Sequence, residues 1–267
     1  MKNKEIRSLA KQKMQGKMGK AIGISIVYFL ITFLMTLVLS FIPFIGPLAA
    51  SIISVPIAFG YTKHIILLAN GEDVGVADFL KHGFNNFGKV WCSNLWITLK
   101  CLLPVILIIL APASGAIHEI LGFVLTIAAF IWLLIVAWKY VMVNYTLAYD
   151  NQDLRARDIV EKTAQEGKGK VNGFVCMTIY YGLLVFCFAF IISFVLGLVS
   201  GFLGMSLGSS VEAINLIASV ISYIVVAIIS LVFSIRNIAA SNEYYKKKVL
   251  DAQETNNTNY EQNNINY

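Results

Sequence analysis

Six stretches of about twenty or more predominantly apolar residues dominate this chain, at 21–42, 48–69, 90–111, 120–143, 171–199 and 213–235. A helix of that length crosses roughly 30 Å of hydrocarbon. Lipid tolerates only helices or closed barrels, because every backbone polar group must find its partner internally. Of the 267 residues, 58% are hydrophobic and 13% charged, where soluble domains sit near 45–50% and 25%. A soluble chain of this length would need more core than its surface could cover. The expected fold is therefore an all-α integral membrane protein, with about six transmembrane helices in three hairpins and amphipathic helices at the cytoplasmic interface.

The placement of charge sets the expected orientation. The net charge is +6, and Lys and Arg collect in residues 1–20, in the two long polar connectors and after the last apolar run. The short turns near Pro43, Ser114 and Ser206 hold neither residue. By the positive-inside rule both termini are expected in the cytoplasm, beside anionic lipid. A basic groove interleaved with aromatics is missing, so nucleic acid is not an expected partner. The run after residue 20 has full span length and no small-residue cleavage site, which makes it a retained span rather than a signal peptide.

A second pattern precedes three of the runs. In 76–90 the residues Val76, Phe79, Leu80, Gly83, Phe84 and Phe87 line one helical face, with Lys81, His82, Asn85 and Asn86 off it. Ile6, Leu9, Ala10, Met14 and Met18 form a similar stripe, as do Ile159, Val160, Thr163, Ala164 and Gly167. Each segment ends in a Gly-Lys pair, here assigned as Gly19-Lys20, Gly88-Lys89 and Gly169-Lys170. Tyr61 to Ala69 and Tyr140 to Ala148 add an equally spaced match on the returning spans. The pattern predicts three units entering from the same side, a parallel repeat. It is explained either by duplication or by a shared demand for a Gly break and a Lys anchor at each entry. The first unit fits least well, since Lys13 falls where the others are apolar or small. The chain divides into a basic interfacial helix (1–20), a six-span domain (21–248) and a polar tail (249–267) expected to be disordered.

The segment GYTKHIILLANGEDVGVADFLKHGFNNF, residues 60–87, resembles an uncharacterised family of bacterial integral membrane proteins, domain of unknown function 975. Gly60, Tyr61, Gly71, Asp78, Gly83, Phe84 and Phe87 match its pattern. In the later connector Asp153 after Asn151, and Thr163 six residues before Gly169, are similar to it, with Thr163 where Ser is more usual. The likeness covers most of 1–248. It implies a bacterial cytoplasmic membrane protein of unknown biochemical role and brings no catalytic residues.

Candidate chemistry is sparse. All fifteen Asp and Glu residues lie outside the apolar runs, which argues against a coupled carrier or an intramembrane aspartyl protease. Lys100 is the one charge well inside a run, since Lys63 and Lys139 lie near the ends of theirs. Counted from Lys89 it lies roughly 16 Å along a helix, near mid-bilayer, where a charge costs at least about 2.5–3.5 kcal/mol and marks a polar cavity. If the interfacial helix instead continues to Trp96, Lys100 snorkels to the headgroups beside Trp91 and Trp96, and this reading is preferred. Lys20, Lys89, Lys168 and Lys170 are candidate headgroup contacts. His118-Glu119 starts an HExxH string that fails at Gly122, and Glu166–Lys170 lacks the spacing of a phosphate loop. Cys92, Cys101, Cys176 and Cys187 form no CxxC pair. Gly197/Gly201 and Gly204/Gly208 permit close packing, and Asn144 and Asn215 are capping or interface groups. No cofactor and no metal is expected. The expected role is non-enzymatic, acting through anionic lipid headgroups, a membrane-protein partner or a second copy of the chain. The alternative is a transporter subunit with a polar path near Lys100, Pro56 and Pro104.

Overall fold

The computed structural model describes residues 2–43, 45–114, 119–150, 153–207 and 211–252. In chain order its helices are α1 (Asn3–Lys13), α2 (Met18–Ser40), α3 (Ile45–Asn70), α4 (Asp78–Phe84), α5 (Phe87–Ser114), α6 (Glu119–Tyr140), α7 (Val143–Ala148), α8 (Ala156–Glu166), α9 (Val171–Leu207) and α10 (Val211–Tyr245). A wider π-type turn, Lys246–Leu250, closes the described chain. No strand occurs among the described residues. Six helices are long and apolar enough to cross a membrane, and they pair as three hairpins, α2 with α3, α5 with α6, and α9 with α10.

The core lies at one end. Ile6, Ile24, Ile65, Phe79, Met177 and Ile235 are fully buried there, where α1, α4, α7 and α8 pack against the ends of the long helices. Away from that end the hairpins present bare apolar surface, with Phe33, Phe123, Phe186 and Phe202 all more than half exposed. Such faces would aggregate in water, but they match lipid tails at no cost.

The short helices link the hairpins into a ring. α4, which opens the second unit, packs on α3, the returning helix of the first. α8 opens the third unit and packs on α5, α6 and α7 of the second. α1 opens the first unit and packs on α10, the returning helix of the third. The ring is closed. The α3–α4 crossing depends on two glycines facing each other. A Cβ on Gly60 would overlap the Phe79 carbonyl, and one on Gly83 would overlap the Pro56 carbonyl.

Several sequence expectations need correction. The Gly-Lys pair of the first unit is Gly16-Lys17, not Gly19-Lys20. Gly19 is already inside α2, whereas Gly16 has φ +78°, close to the +73° of Gly169. Both glycines take the left-handed turn that side chains resist, and the flanking bonds match. Lys17 N–H donates to the Met14 carbonyl at 3.1 Å, and Lys170 N–H to the Gly167 carbonyl at 2.9 Å. In this register Lys13 corresponds to Glu166, so the first unit is no outlier. The helix at 76–90 is shorter than its stripe, since α4 ends at Phe84 and Gly88-Lys89 already belongs to α5. Likewise the interfacial helix of 1–20 ends at Lys13, and residues 18–20 begin α2. Gly46 and Pro47 are in the first turn of α3, and Ser200–Leu207 continues α9. α10 runs ten residues beyond the expected span, to Tyr245. The turn at 115–118, the tip at 208–210 and the tail from 253 onward lie outside the described residues.

Candidate functional site at the basic end

Each return helix contributes one member to a polar ring where the three hairpins converge. Asn70 ends α3, Tyr149 follows α7 and Asn242 lies near the end of α10. Asn70 Nδ2 donates to Tyr149 Oη at 3.1 Å, Tyr149 O–H donates to Asn242 Oδ1 at 2.6 Å, and Asn242 Nδ2 donates back to Asn70 Oδ1 at 3.1 Å. Lys246 Nζ adds a fourth bond to Asn70 Oδ1 at 3.3 Å. Burial pushes the Tyr149 hydroxyl above its usual range, against the lowering effect of the two asparagines. A cyclic network of this kind satisfies fully buried Asn242 and its half-buried partners Asn70 and Tyr149 together.

The ring members occupy equivalent places. Tyr61, Tyr140 and Phe233 each stand nine residues before one of them. Opposite these aromatics, Tyr28, Lys100 and Tyr181 each stand eleven residues after the lysines of Gly16-Lys17, Gly88-Lys89 and Gly169-Lys170. The pairs meet in all three hairpins. Tyr28 and Tyr61 stack with centroids 4.4 Å apart, Tyr181 and Phe233 lie 6.3 Å apart, and Lys100 Nζ sits 5.5 Å from the Tyr140 centroid. Lys100 thus takes the position of an aromatic and makes a cation–π contact there.

The break near Trp96 that would bring Lys100 to the headgroups is absent, because α5 is continuous from Phe87. The polar surroundings come from α8 instead. Trp96, Lys100, Arg157, Val160 and Glu161 line one cavity of about 200 Å³.

The other sequence candidates divide into two groups. Lys20 forms an ion pair with exposed Asp73 and holds that carboxyl below its usual range. Lys89 bridges Asp150 at 3.1 Å and Asp153 at 2.6 Å, and it lowers the pKa of Asp153. These two lysines clamp connectors to helix starts. Lys168 lines an apolar groove with Lys139, Trp138 and Ile135. Lys170 presents its carbonyl, at 2.7 Å, to the Tyr244 hydroxyl.

Polar contacts that the sequence reading missed hold the short helices in place. Lys13 meets the buried carboxylate of Glu243 at 2.8 and 2.9 Å, which ties α1 to α10. Glu166 accepts from Tyr245 at 2.6 Å and from Thr146 at 3.4 Å, which ties α8 to α7 and α10. Lys17 Nζ donates to the Leu68 carbonyl at 3.0 Å, near the α3 C-terminus, where a cation is favoured. Gly71, at φ +102°, closes α3 with bonds from Gly71 N–H to Leu68 O and from Glu72 N–H to Leu67 O, a Schellman cap. The polar end of α10, Ser241–Glu243, is buried in this ring of helices.

His64 and His82 form a further pair between α3 and α4, with centroids 5.8 Å apart. His64 is fully buried, and neither of its nitrogens has a hydrogen-bond partner among the described residues. Burial, then Lys63, lowers the pKa of His82. Among the described residues no cluster of three His, Cys, Asp or Glu side chains could hold a metal ion. His118 lies outside the described residues. Compared with protein-family models, curated proteins and solved structures, the chain finds no match.

Proposed function

We propose that this chain is a non-enzymatic protein of a bacterial cytoplasmic membrane, acting through anionic lipid and protein partners in envelope homeostasis or stress response. Both termini and the ring of short helices face the cytoplasm in this reading. The observation that carries it is the closed ring of α1, α4 and α8. It packs three short helices against the hairpins, with Ile6, Phe79 and Ile159 buried in those contacts. Helices of this composition lie in the headgroup region and respond to anionic lipid. The position of Lys100 beside Arg157 and Glu161 of α8 supports anchoring at that level over a transport path at mid-depth.

Two measurements test the reading. Cysteines placed at Ser114 and Ser206 label with an impermeant thiol reagent from outside intact cells, and reaction only after lysis overturns the orientation. Cells lacking the chain lose survival under agents that damage the envelope, and the wild-type chain restores it. Equal survival with and without the chain overturns the role.

A further inference from the structure

A groove opens between α1 and the α9–α10 hairpin, with a cavity of about 300 Å³. Three cations line it, Arg7 and Lys11 from α1 and Arg236 from α10, and no acidic residue does. Among the described residues none of the three makes an ion pair, although lysines and arginines elsewhere at this end do. Arg7 Cζ sits over the Tyr180 ring, 3.8 Å from its centroid. That contact holds the guanidinium in place and leaves N–H groups free to donate. Apart from Ser8 and Gln15 the rest of the wall is aliphatic or aromatic. Met18, Leu184 and Phe233 line it, and α9 continues beyond them as bare apolar surface through Phe186 and Ile191.

We propose that this groove binds one anionic phospholipid, its phosphate held by Arg7, Lys11 and Arg236 and its acyl chain laid along Leu184 and Phe233. The inference rests on the reading of the basic end as lying at the headgroups. Guanidinium forks match phosphate oxygens geometrically. Three cations without a carboxylate need an anion, and a groove that runs from cations onto lipid-facing helix offers that anion a tail to bring with it. A groove recurs at the same place in the third unit, with its cations at different positions. Lys11, Met14, Gln15 and Met18 of this groove correspond, in the register set by Gly16 and Gly169, to Ala164, Gly167, Lys168 and Val171. Those four residues line the groove of Lys139 and Lys168. There the cations are two and the wall is more apolar, so the α1 groove is the tighter of the pair.

The test uses the full chain in nanodiscs of phosphatidylcholine with a minority of phosphatidylglycerol, and reads lipid retained per chain by native mass spectrometry. The wild type retains one phosphatidylglycerol through detergent exchange. Arg7→Gln with Arg236→Gln lowers that retention by about tenfold or more while the variant remains folded in pure phosphatidylcholine. Should that variant fail to fold, Lys11→Gln with Arg236→Gln spares the Arg7–Tyr180 contact and reads the same loss. Undiminished retention in either folded variant overturns the site while leaving a general preference for anionic lipid standing. A wild type with no preference for phosphatidylglycerol over phosphatidylcholine overturns both the site and the lipid reading beneath it. Equal thermal stabilisation by inorganic phosphate, lost in the same variants, shows a soluble-phosphate site and overturns the lipid assignment.

Discussion

Asn242 Nδ2 donates to Asn70 Oδ1 at 3.1 Å, joining the ends of the first and last return helices across 172 residues of sequence. The Tyr149 hydroxyl completes the circle between them. Replacing Asn242 with Leu removes an acceptor from Tyr149 and a donor from Asn70 at once. The expected loss is about 1–3 kcal/mol, the penalty for stranding buried polar groups, read as a lower unfolding temperature in detergent. Asn242→Asp keeps the acceptor for Tyr149 beside Lys246 and loses less.

The α3–α4 crossing makes a steric prediction. Gly83→Ala places a methyl group against the Pro56 carbonyl, with backbone rather than a flexible side chain in the way. α4 must shift, at an expected cost of about 1–3 kcal/mol, as for overpacking elsewhere. Faster proteolysis at Lys81 in the variant checks this, and an unchanged rate refutes it. Gly88→Ala serves as the control, since nothing lies within 4 Å of its added carbon.

Lys13 and Glu243 predict how α1 is retained. Glu243 is almost fully buried, while Lys13 is about one-third exposed. Lys13→Ala leaves a carboxylate without its charge partner, and about 1–3 kcal/mol is expected to be lost, discounted from the cost of breaking a fully buried pair because Lys13 is partly solvated. Amide exchange over α1 rises in this variant. Glu243→Gln restores much of the protection to the Lys13→Ala background, because the stranded charge is gone.

The His82 pKa predicts a pH dependence. The groups facing it are His64 and Lys63 of α3, Glu72 of the connector, and Asp78 and Lys81 of its own helix. Burial and Lys63 outweigh the two acids, so the folded state resists protonation more than the unfolded chain does. Stability contributed by neutral His82 is complete above about pH 6.5 and falls as the pH drops below that value. Hydrogen exchange over α4, corrected for intrinsic rates, rises from pH 7.5 to pH 5.5, and His82→Gln reduces the change.

The six long helices were legible because apolar length and charge placement act over whole segments. The helix ends were not, because local bonding decides them. Nothing in the spacing of Gly19-Lys20 distinguishes it from Gly16-Lys17, and only the positive φ of Gly16 does so. Glu243 carried no signal of its burial in the sequence. That burial follows from α1 arriving from the far end of the chain, which no local pattern reports. Lys100 was legible as an anomaly, but its explanation needed the partner Tyr140 and the neighbouring α8. The spacing of Tyr28, Lys100 and Tyr181 was in the sequence throughout, yet only the contacts single it out from many chance alignments.

The seating of α1 on α10 also imposes an order on biosynthesis. Lys13 leaves the ribosome 230 residues before Glu243, a delay of roughly 10–50 s at 5–20 residues per second. For that interval α1 lacks its α10 berth and keeps only its smaller contact with α3, so its apolar stripe must rest on the bilayer surface or on a chaperone. The seating of α1 is therefore completed only after α10 has been made, however early α1 itself emerges.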